Sequence, residues 1–301
     1  MGLYVLFFAS LKIWHVFYQF TLYTRQENEE IMKYLCIADL HLDFWEDDKR
    51  NPFEGCEEAL EDLDLLIIAG DLSNKPQKRW TRLLTPLVDL VGSGKVKIFP
   101  GNHDFYQYRF DAEDRLSEFA DAAGAEYVNR KVVELEDTRF ICATLWTDME
   151  LGPGRTRNIH HIPTRMNDYR AIRHAGAGYR RLWPEETIRT HKNDLDFIAG
   201  ELAKPFAGRS IVVTHHAPHP DVLNDYKEDL DAAYASDLSA FIKTNKPDAW
   251  SFGHCHDARS ITVEGCSLEN VSLGYPDDVL APKERFLSLI KDTELRLSPR
   301  P

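Results

Sequence analysis

The chain has 301 residues, 43% of them hydrophobic, which is material for one large α/β core, and a formal net charge of −13. That acidity, with no long Lys/Arg run, speaks against a protein that wraps duplex nucleic acid on a broad basic face and against specific docking on anionic membranes. Five cysteines, odd in number and without paired spacing, make no disulfide framework and fit a reducing cytoplasm.

In chain order, the first thirty-one residues are the oddest part. Leu3 to Tyr23 is largely apolar and aromatic but is interrupted by Lys12, His15 and Gln19, and the polar stretch Thr24 to Glu30 follows. There is no basic start and no small-residue cleavage site, as a signal peptide requires, and a membrane span of about 20 residues carries fewer polar groups. Met32 stands just before the first strand-like run. Residues 1–31 therefore read as an extension or an upstream start, with an interfacial anchor as the competing reading, and residues 32–301 as one folded unit.

Strand-like runs are expected at Tyr34 to Ala38, Leu65 to Ala69, Val96 to Phe99 and Ile211 to Val213. Helices are expected over Glu54 to Leu63, Gln77 to Val91, Asp111 to Ala123, Pro184 to Leu202 and Tyr234 to Lys243. Val132 to Leu135 and Arg139 to Leu145 are two further strands joined by a turn at Glu136-Asp137, and short alternating strands run from Ala249 to Leu273. The early alternation of strand and helix is that of βαβ units.

Each of four strand runs ends in residues that bind hard or borderline metals: Asp39-Leu40-His41, Gly70-Asp71, Gly101-Asn102-His103-Asp104 and Thr214-His215-His216. A fifth segment, Gly253-His254-Cys255-His256, completes the set. An isolated Asp-x-His, or one histidine after a strand, is ordinarily a loop or capping residue. Five such segments in order are a different matter, because ligands of an open α/β sheet gather beyond the carboxyl ends of its strands. Imidazole and carboxylate suit manganese, iron, zinc or cobalt, and a shared carboxylate can hold two ions about 3.5–4 Å apart.

In order, spacing and flanking residues, the five segments resemble the D-x-H, G-D, G-N-H-[D/E], H and G-H-x-H signature of the calcineurin-like metallophosphoesterases, over most of the chain from Tyr34 onward. The resemblance implies a four-layer αββα sandwich of two mixed sheets flanked by helices. It implies two divalent ions, manganese foremost, one held by Asp39, His41, Asp71 and His256 and the other by Asp71, Asn102, His215 and His254. It implies hydrolysis of phosphomonoesters or phosphodiesters by a hydroxide bridging the two ions, with His103 assisting the leaving group. Asp104 is placed in sequence to orient the His103 ring and keep it cationic. His215 follows its strand directly, as the family histidine does. His216 is then a supporting or substrate-facing group, and the residues alone leave the reversed assignment open. Cys255, between two ligands, reads as a small filler.

From Trp146 to Trp183 the sequence loses its periodicity and becomes rich in Gly, Arg and His. An insert of this length, about residues 147–183, is a solvated surface or a substrate-facing lid in which Arg155, Arg157, Arg165, Arg170 and Arg173 clamp phosphate oxygens. Thr144 to Asp148 with Met166 to Arg170 resembles segments of an uncharacterised bacterial and phage-type branch of the superfamily. The expected substrate is a small phosphate ester, nucleotide-like in character. The competing readings are a nuclease of the same superfamily, for which the short tail after Leu273 leaves little room, and a non-catalytic scaffold with this fold, which the full set of competent ligand residues disfavours.

Overall fold

The computed structural model describes residues 32–223 and 229–293. The expected extension at residues 1–31 lies outside the described residues. Three parallel strands, β1 (Lys33–Ile37), β2 (Leu65–Ala69) and β3 (Val96–Phe99), form the centre of the first sheet. β2 reads Leu-Leu-Ile-Ile-Ala and is buried at every position, as a parallel strand covered on both faces must be. The short β4 (Glu126–Tyr127) adds in parallel to β3.

The second sheet has six strands. β5 (Lys131–Leu135) and β6 (Thr138–Ala143) form a hairpin, and β6 runs parallel to β9 (Arg209–Thr214). β10 (Ala249–Phe252) and β12 (Cys266–Asn270) continue the parallel order, and β11 (Ser260–Val263) closes the edge antiparallel to β12. The sheets face one another, with Tyr34 of β1 meeting Phe140 of β6 edge to face at 4.9 Å between ring centroids. Helices cover the outer faces, so the architecture is the αββα sandwich.

On the first sheet, α1 (Leu42–Asp47) and α2 (Glu57–Glu61) precede β2, α3 (Pro76–Val91) links β2 to β3, and α4 (Glu113–Asp121) packs beside α3. Pro76 opens α3, and Trp80, Leu83, Leu84, Leu87, Val88 and Val91 recur at helical spacing to form its buried stripe. Outside the second sheet, Ile141, Val212, Trp250 and Phe252 pack against Ile198 and Ile242, which belong to the helices Pro184–Leu202 and Ser239–Asn245.

Three elements differ from the sequence expectation. The helix expected over Tyr234 to Lys243 is two, Asp231–Tyr234 and Ser239–Asn245. Between them Ala235 is extended and bridges Ala217, while the Ser236 and Leu238 amides donate to Ala217 O and Pro218 O. The aperiodic insert is folded, into α5 (Arg155–His161), α6 (Asp168–Ala171) and a hairpin of β7 (Arg173–His174) with β8 (Arg180–Arg181). Its anchors Ile162, Met166, Tyr169, Ile172 and Leu182 are all buried but fall partly in short helical turns and partly in the coil between elements, which is why no single period connects them. Finally, the strands up to Leu273 do not close the fold. The helix Pro282–Leu289 buries Phe286, and the strand Ile290–Asp292 returns to pair antiparallel with β1.

That last helix docks through one large side chain. Phe286 is 0% exposed and meets Phe53 at 5.7 Å. Phe286→Ala should lower unfolding stability by about 3–5 kcal/mol, read from the urea midpoint at unchanged slope. A shift under about 1 kcal/mol would mean that the C-terminal helix is not docked as described.

Candidate metal centre

The two sheets are sewn together where their strands end. Ala38 bridges Ser272, with Ala38 N donating to Val271 O at 3.0 Å and Leu273 N to Ala38 O at 2.8 Å. His215, at the end of the second sheet's β9, donates Nδ1–H to Ala69 O of β2 at 3.0 Å. Every loop that leaves these strand ends enters one small volume.

That volume holds the polar side chains. Asp39, His41 and His256 place ligand atoms within 4.8 Å of one another, and so do Asp71, His215 and His254. His41 Nε2 lies 3.9 Å from Asp39 Oδ1, 3.8 Å from Asp71 Oδ2 and 3.3 Å from His256 Nε2. His215 Nε2 lies 3.5 Å from Asp71 Oδ2 and 3.0 Å from Asn102 Oδ1. Asp71 thus stands between both groups. His103 forms a third group with His41 and Asp71 at the mouth of the site, where its ring meets His41 edge to face at 4.8 Å.

The backbone is bent to achieve this. Asp39, His41, Asp71 and His254 have φ of 55°, 42°, 59° and 68°, the left-handed region that side-chain-bearing residues seldom adopt. Gly101 and Gly253 leave the space. A Cβ at Gly101 would come within 2.2 Å of Asp71 Oδ1, and one at Gly253 within 2.6 Å of Asp39 Oδ2.

The donor set fits two divalent ions. Nitrogen and carboxylate oxygen are the atoms offered, and Asp39 Oδ1 and His254 Nε2 are buried without a hydrogen-bond partner. The rings are oriented from behind: His256 Nδ1 by Asp278 Oδ2 at 2.8 Å, and His215 Nδ1 by the Ala69 carbonyl. Burial, then the charge of His215, holds His254 down at about 3, so its imidazole is neutral. Burial opposes charge on His215 and His256 too, but Asp71 and Asp39 respectively outweigh it and raise each to about 9. Asp39, despite its burial, is held well below the usual carboxylate range by the adjacent His256 and His215. Two cationic imidazoles beside two carboxylates are a proton-bound version of the charge balance that two dications provide.

Other residues differ from their expected roles. Asp104 does not reach the His103 ring. Its carboxylate accepts from the backbone N–H of Asp71 (2.7 Å), Gly101 (2.9 Å) and Ser73 (3.2 Å) and from Trp80 Nε1 (2.8 Å), so it clamps the two ligand loops together. Burial and the charge of Asp71 push it up to about 7 against those bonds. The partner of His103 Nδ1 is Asn74 Oδ1, at 3.1 Å. His216 is fully buried and does not line the central cavity. Strand alternation turns it against Trp146 (4.9 Å) and the back of His254 (4.3 Å).

Of the insert arginines, Arg165 alone lines the central cavity, and it is paired with Asp229. Arg155 is bound by Glu150 at 2.9 Å and by the Asp148 carbonyl, and Arg157 is exposed on the outer side of α5. Arg170 and Arg173 line a separate hollow with Tyr108, Arg109 and Tyr179. The central cavity is about 630 Å³, walled by Tyr106, Tyr234, Tyr275, Met166 and Leu230 over the ligand floor. The sequence reading missed Asn74, Tyr106, Asp168, Tyr275 and Asp278. Tyr106, one turn after His103, was within reach of local spacing; the rest arrive by folding alone.

The chain belongs to the calcineurin-like phosphoesterase family, whose model matches residues 32–258. It is a metal-dependent phosphoesterase with a dinuclear divalent centre. A relative, uncharacterized protein L509 of Acanthamoeba polyphaga mimivirus, is 26% identical over 276 residues, covering 81% of this chain and 91% of the relative. The structure of phosphopantetheinyl hydrolase from Mycobacterium tuberculosis superposes with a TM-score of 0.61 at 17% identity, over 90% of this chain and 99% of that one. A dimetal phosphatase from Danio rerio superposes with a TM-score of 0.46 at 14% identity, over 80% of this chain and 87% of that one.

Metal and protons compete for the same nitrogens. Because His215 and His256 are raised to about 9, both are protonated at pH 7 and each ion displaces about one proton as it binds. The logarithm of apparent affinity for each ion should rise with a slope of about 1 per pH unit up to about pH 9 and then level. Calorimetry in buffers of different ionisation enthalpy would count the protons; a pH-independent affinity between pH 6 and 8 would contradict the charge assignment.

Proposed function

We propose that this protein hydrolyses small phosphate esters, monoesters or diesters whose other group is of about nucleotide size, with a manganese pair and with His103 assisting the leaving group. The observation that carries this is the convergence of both ligand groups on the floor of one cavity, with His103 on its wall. Two divalent ions, held by Asp39, His41, Asp71, Asn102, His215, His254 and His256, would polarise the phosphoryl oxygens and lower the pKa of a water molecule.

The remaining chemistry belongs to the chain. Asp71 keeps two like charges close, so it carries the dinuclear character. His103 donates Nδ1–H to Asn74 Oδ1, which leaves Nε2 turned to the cavity, 3.4 Å from Tyr275 OH. Asn74 is itself fixed, since its amide group donates to Asp43 Oδ2 at 3.0 Å. A proton held on Nε2 is placed to pass to a departing alkoxide, while Tyr106, stacked on the ring at 4.1 Å, keeps its plane. The tyrosine walls offer ring faces to a planar leaving group, and Arg165, paired with Asp229, stands at the rim. A reducing cytoplasm belongs to the same reading, supported by five cysteines that are all free and buried. Among the described residues no helix is long and apolar enough to cross a membrane. Turnover of bis-p-nitrophenyl phosphate, p-nitrophenyl phosphate, cyclic nucleotides and single-stranded DNA, each with Mn, tests the substrate range. Activity confined to DNA would reject a small-ester enzyme.

Two variants test the assignments. Asp71→Asn should lose most bound metal and nearly all activity; near wild-type turnover with two ions bound would sink the shared-carboxylate arrangement. His103→Ala should keep both ions yet lose about 10² or more in rate, with a smaller loss for p-nitrophenyl esters, whose leaving group needs no proton. Equal losses on alkyl and p-nitrophenyl esters would count against proton donation.

A further inference from the structure

We propose that Asp168, in the insert, is a positioning residue that decides which end of the Asn102 amide faces the metal centre and, through Tyr106, holds the His103 ring in place. The inference rests on the two-ion reading above. Asp168 is 2% exposed on α6, and its Oδ1 accepts from Asn102 Nδ2 at 2.8 Å and from Tyr106 OH at 2.6 Å.

An asparagine side chain has one oxygen and one NH₂ of nearly the same shape, and only the oxygen can bind a cation. A carboxylate accepts and never donates, so Asp168 takes the NH₂. Asn102 Oδ1 is thereby turned toward His215 Nε2, 3.0 Å away, on the Asp71 side. The reversed amide would set its oxygen against the Asp168 carboxylate and point two N–H groups at the ion.

The same donor arrangement reaches the catalytic imidazole. Tyr106, tied to Asp168 by its hydroxyl, lies on His103 with ring planes 20° apart. No Lys or Arg pairs with Asp168 among the described residues, and burial pushes its carboxyl above the usual range against the two bonds donated to it. Asp43, itself paired with Arg79, likewise fixes the Asn74 amide on the other side of His103. Asp-fixed asparagines therefore stand at two places, one presenting an oxygen to the metal centre and one to His103.

Calorimetric titration of chelator-treated protein with Mn²⁺ separates the two binding steps, and Asn102→Ala marks which step belongs to the Asn102 ion. Asp168→Ala should weaken that step about 10- to 100-fold and leave the other within about threefold. Asp168→Asn, whose amide oxygen still accepts from Asn102, should recover it to within about threefold of wild type. Equal weakening of both steps, no weakening, or an asparagine variant as poor as alanine would overturn the proposal. Should Asp168→Ala not fold, an exchange carries the test. Asn102→Asp places two carboxylates together and should weaken the Asn102 step, whereas Asn102→Asp/Asp168→Asn restores one donor and one acceptor and should recover at least tenfold of that loss. No recovery in the exchanged pair would overturn it as well. A wild-type protein with a single binding step would instead reject the two-ion reading itself.

Discussion

Asp71 sets the terms for the rest of the molecule. Its carboxylate is buried at the end of β2, where an isolated charge would be expelled or protonated. Imidazoles of His41 and His215 lie within 3.8 and 3.5 Å of it, and the His103 amide donates to it at 2.8 Å. A carboxylate so surrounded is stable when cations balance it, whether protons on imidazole or divalent metal. The loops, the sheet seam and the glycines around it can be read as the means of holding that charge at that depth.

Holding it requires two sheets to meet at one point. His215 comes from the second sheet but donates to a carbonyl of the first, and His254 N donates to Asp39 Oδ2 at 2.8 Å across the same seam. Left-handed backbone at Asp39, His41, Asp71 and His254 aims their side chains inward, and the strain is carried by the ladders below. Asp104, with three backbone amides and one indole N–H on its carboxylate, joins the Asp71 loop to the Gly101 loop. Its contribution is mechanical: without it, the Asp71 and Gly101 turns would be tied together chiefly by the single bond from the His103 amide to Asp71.

The insert has a different place from that of a detached lid. Its short elements bury apolar anchors in the main core, and Asp168 reaches Asn102. Most of its arginines are neutralised or turned away. The basic character that made the segment conspicuous is met partly by Glu150 and the Asp148 and Thr164 carbonyls within it and partly by Asp229 and Glu186 outside it, while Asp168 makes the contact with Asn102.

Four of the five candidate ligand segments stood out in the sequence because each follows a mostly apolar strand run, and a strand end fixes where the next residue stands. The central strands, α3 from Gln77 onward and the helix Pro184–Leu202 could likewise be placed from the pattern of apolar residues. The sequence alone did not determine the partners. Asp104 precedes Phe105 and neighbours His103, yet a tight turn sends its carboxylate back to Gly101 while His103 turns to Asn74, 29 residues earlier. Asp168 stands 66 residues from Asn102, and Asp278 lies 22 residues beyond His256. Metal ligands belong to short local patterns because coordination wants particular side chains at strand ends. The groups that orient them need only one acceptor or donor at the right point in space, and any loop that packs there can supply it, so tertiary structure alone decided which did.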